Sequence, residues 1–363
     1  MKRNTWIRTV ASVGLSALGV SMASGQTVPT VLIGHAGNPA DATTGLGAVA
    51  SMYSISQSEV TNAQYAAFLN AVAATDTFGV YSSSMSDSFG GIVRTGSPGA
   101  YVYTTVSARA DYPVNYVTFW DACRFANWLH NGQPVGAQDA STTEDGAYTL
   151  TSAGITANTI TRNAGWLWAV PGENEWCKAA YYQPSSDGGD SDGYWLYPTS
   201  SNTISPSMAN YSSSGLGDCV AAGTYAPNYF GTVDMGGNVY EWTEVISGSS
   251  RLLRGGAFVY SASTMQPTSS LSRNAGSEQR YMGIRVVKKF VPCPADFDLS
   301  GFVDSDDFIA FASQFELGCI GPGEGAFGSE PACFKSADFD ESGFVDSDDF
   351  ISYVDAFATP CEN

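Results

Sequence analysis

Fifteen residues near the C-terminus occur twice: "ADFDLSGFVDSDDFI" at 295–309 returns as "ADFDESGFVDSDDFI" at 337–351, with one position changed. A repeat this close obliges the segment to fold as two like units, and each unit carries the same oxygen donors. In the first they are Asp296, Asp298, Ser300, Asp304 and Asp307, with Gly301 between them and the backbone carbonyl of Phe302. In the second they are Asp338, Asp340, Ser342, Asp346 and Asp349, with Gly343 and the carbonyl of Phe344. Oxygens at loop positions 1, 3, 5, 7, 9 and 12, with Gly at 6, are spaced to wrap one calcium ion. After each loop the apolar residues follow a helical period: Phe308, Phe311, Ala312 and Phe315, then Phe350, Tyr353, Val354 and Phe357.

The repeat also accounts for the charge. The formal net charge is −19, but Cys293–Asn363 holds 16 acids and one base (Lys335), a local −15 that leaves −4 for the rest. Such a block either repels itself into disorder or holds cations. It has nothing to neutralise phosphates, so nucleic acid is not expected as a partner. Charged residues are only 14% and hydrophobic residues 44%. The core is therefore ample, while the surface leans on Ser, Thr, Asn, Gly and Tyr, as suits an extracellular protein.

The N-terminus agrees with that setting. Lys2, Arg3 and Arg8 precede an apolar run from Val10 to about Val20, and Ala23, Ser24 and Gly25 offer a cleavage site. Residues 1–25 are expected to be a signal peptide. The run is shorter than the roughly 20 residues that span a bilayer, and no later segment is long enough either. A secreted or cell-surface protein, extracellular or periplasmic, is expected, with domains at 26–291 and 292–363.

The tail resembles dockerin and related paired EF-hand-like modules, in which the last ligand is typically Asp. The resemblance implies a small α-helical domain that docks to a protein partner or a surface scaffold. Cys293 and Cys319 flank the first copy, Cys333 and Cys361 the second. Four cysteines allow three pairings, and the bracketing favours 293–319 with 333–361.

Residues 26–291 read as α+β, with short strands, long loops and three helices. "SEVTNAQYAAFLNAVAA" (58–74) offers Thr61 or Asn62 as a cap, and "VTFWDACRFANWLHNG" (117–132) has Thr118 as cap and Gly132 as stop. "VPGENEWCKAAYY" (170–182) opens a shorter third helix. His35 and His130 are expected to be structural or solvated, and Cys177 to be buried or disulfide-bonded.

Six blocks, "SEVTNAQYAAFLNA", "YPVNYVTFWDACRFANWL", "WAVPGENEWCKAA", "DMGGNVYEWT", "RLLRGGAF" and "MGIRVV", stand in the order and approximate spacing of the formylglycine-generating enzyme (sulfatase-modifying factor) family. The resemblance implies an irregular, loop-rich fold related to C-type lectins. In active members two cysteines after the "RGG" block bind copper and oxidise a sulfatase cysteine to formylglycine with oxygen. Here those positions align with Tyr260 and Met265, and no Cys lies between Cys219 and Cys293. Soft sulfur ligands select Cu(I), and a phenol does not replace them.

The resemblance further implies structural calcium in the large domain. One site would use Asp234 and Glu241 side chains with the carbonyls of Gly237 and Val239. A second would use Asn210 and Asp218 with the carbonyls of Tyr211 and Val220. Tyr240 and Trp242 would seat the first loop on the core. A secreted, non-catalytic, calcium-stabilised binding or surface protein is the leading expectation, with Tyr260, Arg273, Asn274, Arg280 and Tyr281 as its ligand-contacting surface. The alternatives are a formylglycine-generating oxidoreductase with changed ligands, or an accessory maturation factor.

Overall fold

The computed structural model describes residues 27–291, 293–297, 303–316, 319–321, 324–325, 337–339 and 345–358. The expected signal segment and the loop ligands Asp298, Ser300, Phe302, Asp340, Ser342 and Phe344 lie outside the described residues.

Local chemistry starts each long helix where the sequence predicts it. Strands β1 (Thr30–Ile33) and β2 (Tyr53–Ser56) form an antiparallel pair that leads into α1 (Asn62–Val72). Thr61, not Asn62, is its cap: Thr61 Oγ1 accepts from Gln64 N at 3.3 Å, while Gln64 Oε1 accepts from Thr61 N at 2.9 Å. A reciprocal box of this kind satisfies two otherwise orphaned donors. The hairpin of β3 (Ile92–Thr95) and β4 (Val102–Thr105) precedes α2 (Phe119–His130), where Thr118 and Asp121 repeat the device. A six-residue helix, α3 (Ser152–Ala157), was not expected; one turn and a half is too short for periodicity to reveal. After β5 (Trp168–Ala169), α4 (Glu173–Tyr181) completes the set.

Five more strands follow: β6 (Tyr240–Ser247), β7 (Ser250–Arg254), β8 (Leu271–Asn274), β9 (Met282–Gly283) and β10 (Val287–Lys289). They make two four-stranded sheets. One runs β1-β2-β10-β5 and is antiparallel throughout; the other runs β8-β7-β6-β9, with β6 and β9 parallel. The core between these elements is aromatic. Tyr65, Phe68, Phe125 and Trp128 from α1 and α2 pack ring against ring at 5.2–5.8 Å. Trp242 is fully enclosed and donates its indole N–H to Val117 O at 3.0 Å, so Tyr240 and Trp242 do seat the loop on the core. Long connections between short strands make up most of the remaining chain.

The two copies of the repeat each yield a twelve-residue helix, α5 (Ser305–Glu316) and α6 (Ser347–Ala358). Phe311 and Tyr353 stack with centroids 3.9 Å apart and planes 8° from parallel, and Phe297 and Ala337 are buried with them. Asp307 and Asp349 are buried at the helix starts. Asp307 Oδ2 accepts from Asp304 N at 2.8 Å, and Asp349 Oδ2 from Asp346 N at 2.7 Å. Among the described residues no helix is long and apolar enough to cross a membrane.

Candidate functional site

The segment 231–244 approaches β6 through residues in the left-handed region: Asp234 (φ 56°), Gly237 (φ 79°) and Asn238 (φ 54°). A Cβ on Gly237 would stand 2.2 Å from the carbonyl oxygen of Asn210, so glycine alone permits this approach. The wrap delivers Glu241 to the middle of the sheet, opposite Arg254 on β7 and Gly283 on β9, with no exposure to solvent.

There Glu241 meets Arg285, which is equally enclosed. Arg285 Nε lies 3.0 and 2.9 Å from the two carboxylate oxygens, and Nη2 lies 2.9 Å from Oε1. Trp176 Nε1 donates to Oε2 at 2.6 Å. The guanidinium is completed by Ser56 O at 2.7 Å and Val233 O at 2.9 Å. The carboxylate that the sequence assigns to calcium thus contacts a guanidinium and an indole. A buried carboxylate must be paired, and here the pair is protein.

Its neighbours are differently placed. Asp234 Oδ2 accepts from Gly223 N at 2.7 Å, but Oδ1 is buried without a partner. Glu59, which sequence reasoning passed over, sends Oε1 to Asn238 Nδ2 at 3.1 Å and leaves Oε2 buried and unpaired. Burial pushes the carboxyl of Asp234 up to about 6, and burial together with the charge of Asp234 pushes Glu59 well above the ordinary range. Three carboxylates (Glu59, Asp234, Glu241) face one guanidinium, so full ionisation leaves two negative charges that a divalent cation or two protons would balance. The orphaned oxygens of Asp234 and Glu59 fit a hard cation. No group of three or more His, Cys, Asp or Glu side chains in ligating array occurs among the described residues.

The second expected set is satisfied internally. Asp218 pairs with Arg109 at 2.7 Å. Asn210 donates to Asp218 O at 2.8 Å and accepts from Ser214 Oγ at 2.8 Å. Ser214 N uses Tyr211 O at 2.8 Å, and Asn238 Nδ2 uses Val220 O at 3.3 Å. Arg109 is thus the cationic partner of Asp218 in this structure.

After β7 the chain turns at Gly255 (φ 98°) and Gly256 (φ 75°). A Cβ on Gly256 would meet Thr264 Oγ1 at 2.6 Å, which holds the 256–265 segment against this turn. Met265 has no exposure and lies in a small cluster with Tyr197, Ala209 and Tyr211. Tyr260 stands between Tyr240 and Tyr281, edge to face with each at 5.3 Å. Burial and the hydrogen bond with Tyr281 push Tyr260 up to about 12. Burial acts to raise Tyr281 as well, but hydrogen bonds from Tyr260 and Arg273 outweigh it and lower its phenol below the ordinary value. Tyr260 and Met265 are therefore a protonated phenol and a buried thioether, a donor set that does not fit Cu(I).

Of the expected surface, Tyr260, Arg273 and Tyr281 converge and Tyr240 joins them. Asn274 lies exposed on β8, and Arg280 is turned away to stack on Phe89 at 4.2 Å. His130 accepts from Leu167 N at 2.9 Å through Nδ1, and His35 Nε2 is 2.9 Å from Tyr229 Oη. Cys177 is buried, and burial pushes its thiol up to about 12.

This architecture is that of a known family. The sulfatase-modifying factor enzyme 1-like domain matches residues 35–290, and the chain belongs to that family. Among solved structures, CarF is similar at 21% identity over 73% of this chain and 99% of its own, with a TM-score of 0.49. Variable protein 1 of Treponema denticola is 19% identical over 73% of this chain and 98% of its own, with a TM-score of 0.48. PvdO from Pseudomonas aeruginosa is 18% identical over 66% and 82%, with a TM-score of 0.41. No curated protein matches the chain.

Proposed function

We propose that this chain is a secreted, non-catalytic member of the sulfatase-modifying factor family that binds a ligand through its Tyr-rich surface and is stabilised by calcium. One observation carries the reading: the stretch after the RGG turn holds no cysteine, Tyr260 and Met265 stand where the family resemblance implies the copper-binding thiolates, and Met265 is sealed in a core cluster. The surface formed by Tyr260, Arg273 and Tyr281, backed by the buried Tyr240, offers rigid aromatic area with hydroxyl and guanidinium donors, the combination that binding surfaces use at low entropic cost. Anaerobic Cu(I) titration, followed by admission of oxygen in the presence of a cysteine-containing sulfatase-motif peptide, tests this. No stoichiometric copper and no aldehyde are expected; aldehyde formation overturns the reading in favour of the oxidoreductase.

Calcium is proposed at two places. In the large domain it would sit against Asp234 and Glu59, whose unpaired buried oxygens support it. In the tail, each copy of the duplicated loop would hold one ion. The tail would dock to a protein partner, a role supported by Ile309 and Ile351, which are 61% and 56% exposed at matching positions of α5 and α6. Disulfides 293–319 and 333–361 are proposed to staple it, and mass mapping of an unreduced digest reads the pairing directly.

A further inference from the structure

A cavity of about 720 Å3 opens among the first turns of α2, the 138–144 turn and α3. It shares no residue with the Tyr240–Tyr260–Tyr281 cluster or with the Glu241–Arg285 pair. Asp121 lies in its wall, only 4% exposed. Its Oδ2 holds Thr118 N at 2.9 Å and Thr118 Oγ1 at 2.7 Å, while Oδ1 has no hydrogen-bond partner among the described residues. Burial is the main cause that raises this carboxyl to about 6, and the charge of Glu278 adds to it.

The cation in the wall is already committed. Arg124 donates from Nε and Nη2 to the two oxygens of Glu144 at 2.7 and 3.0 Å, and its guanidinium lies 4.7 Å from the ring centre of Phe78. With Asp139 the lining carries three carboxylates against one guanidinium. An anion would enter against that field. The remaining walls combine the apolar or aromatic Trp120, Phe78, Leu150 and Ile155 with neutral polar side chains such as Gln138 and Ser152. Pockets of this size typically combine such walls with a few placed polar groups.

We propose that this cavity binds a small organic ammonium ion, with Asp121 receiving the ammonium group and Trp120, Phe78, Leu150 and Ile155 enclosing an apolar or aromatic body. The ammonium supplies a charged donor to a carboxylate that burial keeps largely from water, and the ring faces add cation–π attraction. The charge balance of the wall improves with a monocation and worsens with an anion, while a neutral ligand leaves it unchanged.

Calorimetric titration of the full chain with phenethylammonium, 2-phenylethanol and phenylacetate separates these cases. Saturable one-site binding of phenethylammonium is expected, with the alcohol and the acid weaker by about tenfold or more, since a charge-assisted hydrogen bond is lost. D121N should weaken the amine by a similar factor. Because Asp121 also caps α2, a second variant leaves the cap untouched: T156W, at the exposed rim on α3, should abolish binding while the thermal midpoint is unchanged. Equal affinity for the alcohol, undiminished binding in T156W, or no phenethylammonium binding at millimolar concentration would each overturn the proposal.

Discussion

Changing Glu241 to Gln keeps the shape of the side chain and an acceptor for Trp176, but strands the enclosed guanidinium of Arg285. Both partners have no exposure, so water cannot take over the lost charge. Removing one member of a buried pair costs about 3–5 kcal/mol, against a total stability on the order of 5–15 kcal/mol for a domain. E241Q should therefore lower the urea midpoint sharply while leaving the slope of the transition unchanged. The loss should be the same in calcium and in chelator, since Arg285 pairs with Glu241 directly. The double variant E241M/R285M should recover part of it, because apolar groups of similar volume can replace a buried pair. A loss confined to calcium-loaded protein would refute this reasoning and return Glu241 to the metal.

Asp234 should behave in the opposite way. Near pH 8, D234N should stabilise the chelated protein by up to about 3 kcal/mol, which is two pKa units at 1.36 kcal/mol each, and should erase the rise in Tm that calcium gives native protein. For the native chain in chelator, Asp234 and Glu59 have raised folded pKa values, so the folded state holds more protons than the unfolded. Stability should then fall as pH rises from about 4 through about 6, and calcium should flatten that slope in a Tm series. Spectroscopic titration of the tyrosines should find Tyr281 ionising below the rest, and R273Q should move it upward. G256A should cost at least about 1 kcal/mol in thermal denaturation, because the residue has φ 75° and its Cβ would strike Thr264.

The sequence by itself determined whatever is local or repeated. Thr61 and Thr118 mark helix starts because their partners Gln64 and Asp121 are three residues away, and the tail duplicates because its residues do. The glycines of "DMGGNVYEWT" announce a tight backbone wrap, and the six ordered blocks identify the family. That no cysteine lies between Cys219 and Cys293 can also be read directly. What only the tertiary structure decided is which charge meets which. Glu241 and Arg285 are 44 positions apart and meet through the parallel pairing of β6 with β9, a register that no local spacing encodes. Asp218 finds Arg109 from 109 positions away, and Glu59 reaches Asn238 from 179. Oxygen donors at plausible loop spacing look alike in sequence whether a cation or an arginine completes them. The choice rests on burial: an enclosed carboxylate takes the nearest enclosed cation, and folding determines which one that is.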